Sequence, residues 1–571
     1  MLHPIRPAAL LLLLSTMGAV DGGAPQPGLQ RCSIDGVEGE VRCGVIRVSE
    51  NPGAPRGRQL SLRVVVLRAR SSPAEPDAVF YLSGGPGQAA TAGAAAVARE
   101  LAEVRERRDV VLVDQRGTGP DGLQCSLGRH GDAARAWVTG DFPPGRLEAC
   151  RRRWGADLRF YLTVNYVEDL ERARAALGYA RVDLVGVSYG TRPALAYLRR
   201  YPERVRTLTL RGVYPPSAPL PLNVARDAQA VLDRLAADHP ALPGDVARAL
   251  ARANSAPARL PVEGGREKGD TLVVTRDVLA GSLLMALYGR AGAEQVPAAA
   301  RAAAEGRPEA LVSIGAGAML SLAQTLSPGL YLSVVCSEDV VQIRPGEGAA
   351  PGTFLGDLLV RNLERVCASW PRGRPPAGYT EPVRSDVPAL VISGDADPVT
   401  PPRWGALVAS TLPRGAHLVL AGEGHIPSFP PCARRATAEL ITAGSAASID
   451  LACGGRTPAA SPPPSDTGAV VADSTGPLAD VAGRWAMFWI TANGPRESGW
   501  LVIRQEGARV TAELHGQGSI EAEGTIRGSL LVLSGRRMLV PFELRAAARG
   551  DTLTGVLRVL SLRRPFTAVR R

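Results

Sequence analysis

Short apolar runs alternate with helical patterns between residue 31 and about residue 455. Most of these runs are continuous rather than alternating, which is typical of strands that are buried on both faces of a parallel sheet. The runs predict strands at 63–67, 78–82, 109–114, 182–187, 205–210, 389–393 and 417–420. The pattern therefore predicts an α/β fold, with a mostly parallel sheet that is flanked by helices.

The pattern changes between residues 210 and 389, where helical periodicity dominates, as at 225–237 and 298–311. Few strand signals occur in this part of the chain. An insertion of this kind inside an α/β sheet is expected over the carboxyl ends of the strands, where ligands bind. We therefore predict a sheet domain formed by residues 31–215 and 386–455, with a mainly helical cap at 216–385.

The last hundred residues have a different pattern. A segment rich in Pro, Ser and Gly at 456–478 predicts an extended or flexible linker. Apolar and polar residues then alternate, as at 500–504 and 510–514, between turns that contain Gly. This is typical of antiparallel strands, so residues 479–571 predict a small all-β barrel or sandwich. Nothing in this segment has the appearance of a catalytic motif.

The N-terminus has the pattern of a secretory signal peptide. Arg6 precedes an apolar run at 8–14, and small residues follow through Gly23. The apolar run is shorter than the roughly 20 residues that a membrane-spanning helix needs. We therefore expect residues 1–24 to be removed and the mature protein to be secreted or periplasmic, without a transmembrane segment.

Cysteine content and charge exclude several classes of function. The eight cysteines form an even set that can pair in an oxidising compartment, most simply between neighbours in sequence, and they show no CxxC spacing of a metal site. The net charge is +11. Arginine is nevertheless interspersed with acids such as Glu168 and Asp169 rather than clustered, so we expect no nucleic-acid partner.

One motif predicts a nucleophile. Gly186-Val-Ser188-Tyr-Gly190 follows an apolar strand and opens a helical run. A sharp strand-to-helix turn of this kind exposes a serine hydroxyl in a strained conformation, and the flanking glycines avoid steric clashes. Ser188 is therefore the expected nucleophile of an α/β-hydrolase.

A serine nucleophile needs a base and an orienting acid, which in this arrangement follow it along the chain in the order acid, then histidine. His425 lies in a glycine-rich loop after a strand and is the expected base. The other histidines after the motif are in less suitable contexts: His239 in the cap, His417 on a strand and His515 in the β domain. The loop after residue 393 offers two acids, and we favour Asp397 over Asp395 because it lies further into the loop.

Catalysis of acyl transfer also needs two backbone N–H groups that stabilise the developing oxyanion. Tyr189 supplies one, directly after the nucleophile. The other is expected from the loop Ser83-Gly-Gly-Pro-Gly87, where glycine allows the backbone to approach a substrate closely. We favour the N–H of Gly85, with Gly84 as the alternative.

Together these motifs resemble one family across about residues 31 to 455. They are Gly84-Gly-Pro-Gly87, Asp114-Gln-Arg-Gly-Thr-Gly119, Gly186-Val-Ser-Tyr-Gly-Thr191, Gly394-Asp-Ala-Asp-Pro-Val-Thr-Pro401 and Gly422-Glu-Gly-His425. In this order they resemble the proline iminopeptidase and tripeptidyl aminopeptidase group of α/β-hydrolases, and the cysteine-bearing, exported form is most similar to the bacterial tripeptidyl aminopeptidases. One departure is Arg211, where relatives usually have aspartate.

The resemblance implies cleavage of short units from the free N-terminus of a peptide, through an acyl-enzyme and without metal or organic cofactor. It also implies acidic side chains that bind the substrate ammonium group. Glu338 and Asp339 follow Cys336 where the family has an acidic residue, so they are the candidates, with a solvated loop as the alternative. Arg116 is expected to bond backbone carbonyls around the site.

Two other functions remain open from the sequence. The same triad and oxyanion hole can cleave carboxylic esters, and an esterase would not need a carboxylate that faces the substrate. A non-catalytic envelope protein could bind peptides or glycans through its C-terminal β domain. Ser188, Asp397 and His425 argue against the second function for the whole chain, although not for the β domain alone.

Overall fold

The computed structural model describes residues 28–119, 122–262, 270–348, 350–425, 430–455, 474–491, 494–516, 518–537, 540–559 and 562–570. The signal peptide expected at 1–24 lies outside these residues, and so does most of the expected linker. The described chain forms a nine-stranded sheet with helices and a closed β-barrel.

The strands are β1 (Gln30–Cys32), β2 (Val41–Ser49), β3 (Gln59–Leu67), β4 (Ala78–Leu82), β5 (Val110–Val113), β6 (Val182–Val187), β7 (Val205–Arg211), β8 (Ala258–Pro261), β9 (Thr271–Val274), β10 (Ala389–Gly394), β11 (Gly415–Leu420), β12 (Gly483–Thr491), β13 (Gly494–Glu506), β14 (Arg509–Gly516), β15 (Gly518–Arg527), β16 (Leu530–Arg537), β17 (Val540–Arg549), β18 (Thr552–Val559) and β19 (Leu562–Arg570).

The helices are α1 (Ala94–Glu100), α2 (His130–Thr139), α3 (Pro144–Trp154), α4 (Thr163–Leu177), α5 (Thr191–Arg200), α6 (Leu220–Asp238), α7 (Leu242–Ser255), α8 (Arg276–Ala286), α9 (Arg290–Ala293), α10 (Val296–Ala304), α11 (Glu309–Ala323), α12 (Pro328–Val334), α13 (Leu358–Cys367), α14 (Pro402–Ala409) and α15 (Pro431–Ala443).

The main sheet has the strand order β1-β2-β3-β5-β4-β6-β7-β10-β11. Pairing is antiparallel from β1 to β5 and parallel from β5 to β11. The chain leaves β4 towards β5 on one side and leaves β6 towards β7 on the other. The carboxyl ends of β4 and β6 therefore flank a switch point, which is where open α/β sheets bind ligands.

The predicted parallel strands are confirmed, because their apolar runs fill both faces of the sheet. All residues of β5 and β10 are buried, as expected for strands covered by helices on each side. The antiparallel strands β1 and β2 at one end of the sheet were not predicted. The sequence of β2, Val41-Arg-Cys-Gly-Val-Ile-Arg-Val-Ser49, mixes polar with apolar residues, and the strand is only partly buried.

The insertion between β7 and β10 is mainly helical, as predicted. The single helical run expected at 298–311 is wrong, because the chain forms α10 and α11 with a break between them. Gly306 adopts a φ of +93°, which ends α10, and Pro308 precedes the first residue of α11. The insertion also contains an antiparallel hairpin of β8 and β9, which the helical pattern hid.

Four disulfides join cysteines that are neighbours in sequence, as expected. They are Cys32–Cys43, Cys125–Cys150, Cys336–Cys367 and Cys432–Cys453. The third disulfide holds a π-helical turn, Val335–Asp339, against the end of α13. No helix in the described ranges is both long and apolar enough to cross a membrane.

The C-terminal segment closes into an eight-stranded antiparallel barrel in which β12 pairs with β19. Alternate residues point inward and form a core of their own around Trp485, Leu501, Leu544 and Phe566. Between the predicted barrel and sandwich, the barrel is therefore the observed form. Closure removes free strand edges, which would otherwise invite pairing with other chains.

Candidate active site

The sharp turn between β6 and α5 carries Ser188. Its φ of +55° is in the left-handed region, and it is the only such non-glycine residue in the part of the chain that the structure describes. The flanking glycines are sterically required: a Cβ on Gly190 would lie 2.1 Å from the carbonyl oxygen of Leu82, and one on Gly186 would lie 2.6 Å from that of Gly190. The turn thus presents the Ser188 hydroxyl at the switch point of the sheet.

A continuous line of hydrogen bonds joins Ser188, His425 and Asp397. His425 Nε2 lies 2.9 Å from Ser188 Oγ, and His425 Nδ1 lies 2.8 Å from Asp397 Oδ2. These contacts join residues from the loops after β6, β10 and β11, which all leave the same edge of the sheet. The structure therefore brings together the three residues that the sequence singled out.

Asp397 is completely buried, and protein donors surround its carboxylate. The backbone N–H groups of Val399 and Thr400 donate to Oδ1 at 2.8 and 2.7 Å, and the Thr400 hydroxyl donates to Oδ2 at 2.6 Å. Burial alone would raise the pKa of Asp397, but the neighbouring His425 and the bonds from Thr400 offset it and lower the pKa below its ordinary value. The arrangement favours a charged carboxylate behind His425.

The alternative residues have other contacts. Asp395 accepts a hydrogen bond from the backbone N–H of Gly422 at 2.7 Å and so stabilises the loop that carries His425. His417 lies on β11, where its Nε2 is 3.0 Å from Ser393 Oγ. His515 packs against Trp500 in the barrel. None of these three residues contacts Ser188.

The glycine loop after β4 lies directly against the nucleophile. A Cβ on Gly84 would lie 3.1 Å from the Cβ of Ser188 and 3.2 Å from the carbonyl oxygen of Val187, so this position needs glycine. Gly84 and Gly85 both line the cavity that contains Ser188 and His425. Either N–H therefore remains a candidate for the oxyanion hole beside that of Tyr189.

The cap contacts both the glycine loop after β4 and the loop that carries His425. Gln88 in the glycine loop forms an isolated β-bridge with Leu326 of the cap. On the other side, the backbone N–H of His425 donates to the carbonyl of Tyr288 at 2.7 Å, and the Tyr288 ring packs edge-on against the imidazole, with 4.7 Å between ring centroids. The cap thus covers His425 and restricts the positions that its ring can take.

The structure places Glu338 and Asp339 in the π-helical turn, and neither is among the described residues that line the cavity. Both side chains are buried, so the alternative of a solvated loop is wrong. Glu338 accepts hydrogen bonds from the backbone N–H and hydroxyl of Thr163, each at 2.7 Å, and one from the hydroxyl of Tyr379. Burial raises the pKa of Glu338.

Asp339 forms a buried ion pair with Arg192, the second residue of α5. The guanidinium donates to both carboxylate oxygens, at 2.6 and 3.0 Å, and it also lies over the ring of Tyr214. The hydroxyl of Tyr214 and the backbone N–H of Leu220 complete the set of donors to Asp339. This pair fixes the helix that begins after Ser188 to the cap.

Arg116 has the structural role that the sequence predicts. It forms a two-pronged ion pair with Asp169, with both distances 2.7 Å, and donates to the carbonyls of Glu50 and Phe160. The unusual Arg211 at the end of β7 is buried and pairs with Glu100 of α1 at 2.7 Å. This partner provides the opposite charge that a buried arginine needs.

Three residues of the site were not identified from the sequence: Thr400 and Tyr288, which contact Asp397 or His425, and Arg192, which joins α5 to the cap. Thr400 lies in the Gly394–Pro401 motif, three residues after Asp397. This spacing could have identified its hydroxyl as a hydrogen-bond donor to Asp397. Tyr288 and Arg192 act through contacts with residues distant in sequence, for which the sequence contains no local signal. In the described ranges, no three His, Cys, Asp or Glu side chains are grouped so that they could hold a metal ion.

Comparison with known proteins agrees with this architecture. Residues 77–259 match the family described as the alpha/beta hydrolase fold, and residues 353–453 match the family described as TAP-like protein. The first match contains Ser188, and the second contains Asp397 and His425. The two matches therefore contain all three residues of the hydrogen-bonded line.

Curated relatives include two peptidases of bacteria. The chain is 28% identical to the serine protease Hip1 of Mycobacterium tuberculosis over 459 residues, which cover 69% of this chain and 83% of that protein. It is 28% identical to the tripeptidyl aminopeptidase of Streptomyces lividans over 193 residues, which cover 31% and 36% of the two chains.

A shorter match joins the chain to a further peptidase. The proline iminopeptidase of Xylella fastidiosa is 41% identical over 59 residues, which cover 10% of this chain and 19% of that protein. The first family match agrees with the observed sheet topology and contains the sharp turn at Ser188. The chain therefore has the α/β-hydrolase fold, and its sequence is similar to those of a tripeptidyl aminopeptidase and a proline iminopeptidase.

Proposed function

We propose that this chain is an exported serine aminopeptidase, which removes short units from the free N-terminus of peptides through an acyl-enzyme on Ser188. The observation that carries the proposal is the line from Ser188 Oγ to His425 Nε2 and from His425 Nδ1 to Asp397, with distances of 2.9 and 2.8 Å. The relatives support a serine peptidase of the α/β-hydrolase fold. The four disulfides are suited to an oxidising compartment outside the cytoplasm.

The proposed reaction begins when Ser188 Oγ attacks the scissile carbonyl carbon. His425 Nε2 accepts the hydroxyl proton, and Asp397 stabilises the imidazolium that forms. The N–H groups of Tyr189 and of Gly85 or Gly84 stabilise the oxyanion. His425 then donates the proton to the leaving amine, which departs with the C-terminal part of the peptide.

Deacylation repeats these steps with water. His425 removes a proton from a water molecule, whose oxygen attacks the ester carbon of the acyl-enzyme. Ser188 leaves as the alcohol after His425 returns the proton to its oxygen. The products are a short peptide with a new carboxylate and the shortened substrate. Each step uses only residues of this chain and water.

The cavity beside Ser188 supports release of a unit of a few residues. Its volume is 690 Å³, within the range of about 300–1,000 Å³ that is usual for ligands of drug size. Most of the described lining residues belong to the cap. A cavity of this size has room for a unit of a few residues on the acyl side of the scissile bond.

We propose that Glu338 and Asp339, although they do not line the cavity, attract the substrate ammonium group through their charge. Two carboxylates here face one guanidinium, that of Arg192, at 3.8 Å from Glu338 and 2.6 Å from Asp339. Burial raises the pKa of Glu338, whereas the Arg192 guanidinium and the hydrogen bonds from Tyr379 and Thr163 act in the opposite direction and favour the charged carboxylate. The excess negative charge favours a cation in the cavity, where the dielectric constant is low.

A carboxylic-ester hydrolase is the second candidate function. The observation that favours it is that no Asp or Glu side chain is among the described residues that line the cavity. A peptidase that required direct pairing with an ammonium group would be expected to have one there. An ester substrate has no such requirement.

Hydrolysis of tripeptidyl p-nitroanilides with free and with acetylated N-termini distinguishes these functions, beside a short-chain nitrophenyl ester and the Ser188→Ala variant. The proposal expects cleavage that depends on Ser188 and a preference for the free amine of about tenfold or more in kcat/KM, since one hydrogen bond to a charged group contributes about 1.5–3 kcal/mol. Cleavage of the ester alone would instead establish the second candidate.

A further inference from the structure

The cavity beside Ser188 is lined mainly by apolar side chains from the cap. Among the described lining residues there is no Asp, Glu, Lys or Arg side chain. Its apolar members on α8 and α11 include Leu284, Met285, Ile314, Met319 and Leu322. A charged side chain placed here would lose its hydration without gaining an opposite charge, which is costly. The wall that α8 and α11 form therefore suits neutral, apolar groups.

Helix α11 forms a wall of this cavity with one of its faces. Ile314, Gly317, Ala318 and Leu322 are spaced at three and four residues, so they lie on the same side of the helix, and all four line the cavity. The opposite side packs into the core of the cap through Val312, Ala316 and Leu320. One face of the helix is therefore packed in the core of the cap, and the other, which we call the open face, lines the cavity.

The middle of the open face has small residues between larger ones. Ala318 is exposed, and with Gly317 it separates Ile314 from Leu322. Gly315 on the adjacent face has a packing reason, because a Cβ there would lie 1.9 Å from the carbonyl of Ser282 on α8. Gly317 and Ala318 line the cavity instead, and their small size leaves a shallow groove between two apolar side chains.

Methionines border the groove. Met285 on α8 and Met319 on α11 both line the cavity. Methionine is flexible and polarisable, so it adapts to apolar groups of different shape. A surface of small residues bordered by methionine therefore accepts bulky apolar side chains without selecting a single one.

We propose that this face of α11 selects bulky apolar side chains, such as those of Leu, Met or Phe, in the short unit that is released. The inference rests on the proposed function and adds the substrate class to it. Ala318 is the specificity-determining residue, because its size sets the depth of the groove. Peptides that place a Lys or Glu side chain against this face of α11 are rejected, because the described residues of the face offer no opposite charge.

The expected selectivity is large enough to measure. One methylene group in an apolar pocket changes kcat/KM by about 10–200-fold. An exposed groove buries a side chain incompletely, so the lower end of that range applies. We expect Ala-Leu-Leu p-nitroanilide to be cleaved with a kcat/KM about tenfold above that of Ala-Ala-Ala p-nitroanilide, and Ala-Lys-Lys and Ala-Glu-Glu p-nitroanilides to be cleaved no faster than Ala-Ala-Ala.

The test compares the full chain with Ala318→Phe, which fills the groove from its exposed side. Ala310→Phe is the matched control, since Ala310 is exposed on the same helix and does not line the cavity. The readout is the ratio of kcat/KM for Ala-Leu-Leu to that for Ala-Ala-Ala. Far-UV circular dichroism and labelling of Ser188 by a fluorophosphonate show that each variant is folded.

The inference predicts that Ala318→Phe lowers this ratio to about two or less, whereas Ala310→Phe keeps the wild-type ratio. A wild-type enzyme without preference for the leucine substrate would overturn the inference and leave the proposed function standing. If Ala318→Phe leaves the ratio of kcat/KM for the two substrates unchanged, the inference is also overturned and the proposed function also stands. If no peptide with a free amine is cleaved, the proposed function is wrong and the inference falls with it.

Discussion

The hydroxyl of Thr400 contacts both the acid and the base. It donates to Asp397 Oδ2 at 2.6 Å and lies 2.9 Å from His425 Nδ1. Thr400→Val keeps the shape of the side chain and removes these contacts. We expect kcat to fall about ten- to hundredfold with little change in KM, because a hydrogen bond to a charged group contributes about 1.5–3 kcal/mol.

Steady-state kinetics on a tripeptidyl p-nitroanilide measures this effect, and Thr400→Ser is the control because it restores the hydroxyl. Full activity of Thr400→Val would show that Asp397 and His425 hold their geometry without it.

The lowered pKa of Asp397 has a consequence for stability. An acid whose pKa is lower in the folded than in the unfolded protein contributes stability above its unfolded value, here about 3.8, and this contribution disappears as the pH falls through the folded value. We expect Asp397→Asn to destabilise the protein more at pH 7 than at pH 3. Urea denaturation at both pH values measures the difference, and an equal loss at both would contradict the cause given for the shift.

The meeting of Ser188, Asp397 and His425 at one edge of the sheet could be predicted from sequence, because each lies in the loop after a strand with a clear apolar run. The sequence favours His425 over His417 as the base, because a glycine-rich loop can project a side chain into a cleft. A residue within a strand is more often fixed in the sheet. The surroundings of Glu338 and Asp339 could not be predicted in this way. Most of their donors, among them Thr163 and Arg192, are more than a hundred residues distant in sequence.

At the scale of elements, the buried pair of Arg192 and Asp339 joins α5 to the π-helical turn. Loss of one partner leaves a buried charge without compensation, which costs about 3–5 kcal/mol. We therefore expect Asp339→Asn to lower the free energy of unfolding by an amount near this range, as measured by chemical denaturation.

Asp357→Asn is the control for this prediction, because its ion pair with Arg361 is about half exposed. Exposed pairs contribute about 0–1 kcal/mol, so this variant should change little. The double variant Arg192→Met with Asp339→Leu should recover part of the loss. Equal effects of Asp339→Asn and Asp357→Asn would contradict the role given to the buried pair.

The sequence predicted buried elements more accurately than exposed ones. The bounds of β4 and β6 agree with the predicted 78–82 and 182–187, because both faces of these strands are apolar. In β3 only the buried half was predicted, since its first residues, Gln59-Leu-Ser-Leu62, alternate in polarity. The break between α10 and α11 was missed because alanines continue the helical pattern up to Gly306.

At the scale of the whole molecule, the barrel has a hydrophobic core made only of residues from 479 onward. We therefore expect two thermal transitions by calorimetry, one for the barrel and one for the α/β part. Trp485 is fully buried in the barrel, so Trp485→Ala should lower the free energy of unfolding of the barrel by about 3–5 kcal/mol. Its thermal transition should therefore move to a lower temperature. Peptidase activity at a temperature below both transitions should not change, since no described barrel residue lines the cavity.

A single transition that shifts as a whole in Trp485→Ala would show that the two parts unfold together.

The broad organisation of the molecule was predictable because the period of the apolar pattern changes after the Pro-rich segment. The contacts of the cap with the loops that carry Gln88 and His425 were not predictable, since they depend on how the insertion folds back over the sheet.

The central claim is that Ser188 is the nucleophile, and covalent labelling tests it most directly. The full chain is treated with a fluorophosphonate, and the modified residue is located by mass spectrometry of the digested protein. The account predicts one adduct, on the peptide that contains Ser188, with none on Ser188→Ala and much slower labelling of His425→Ala. Labelling of a different residue, or undiminished labelling of Ser188→Ala, would contradict it.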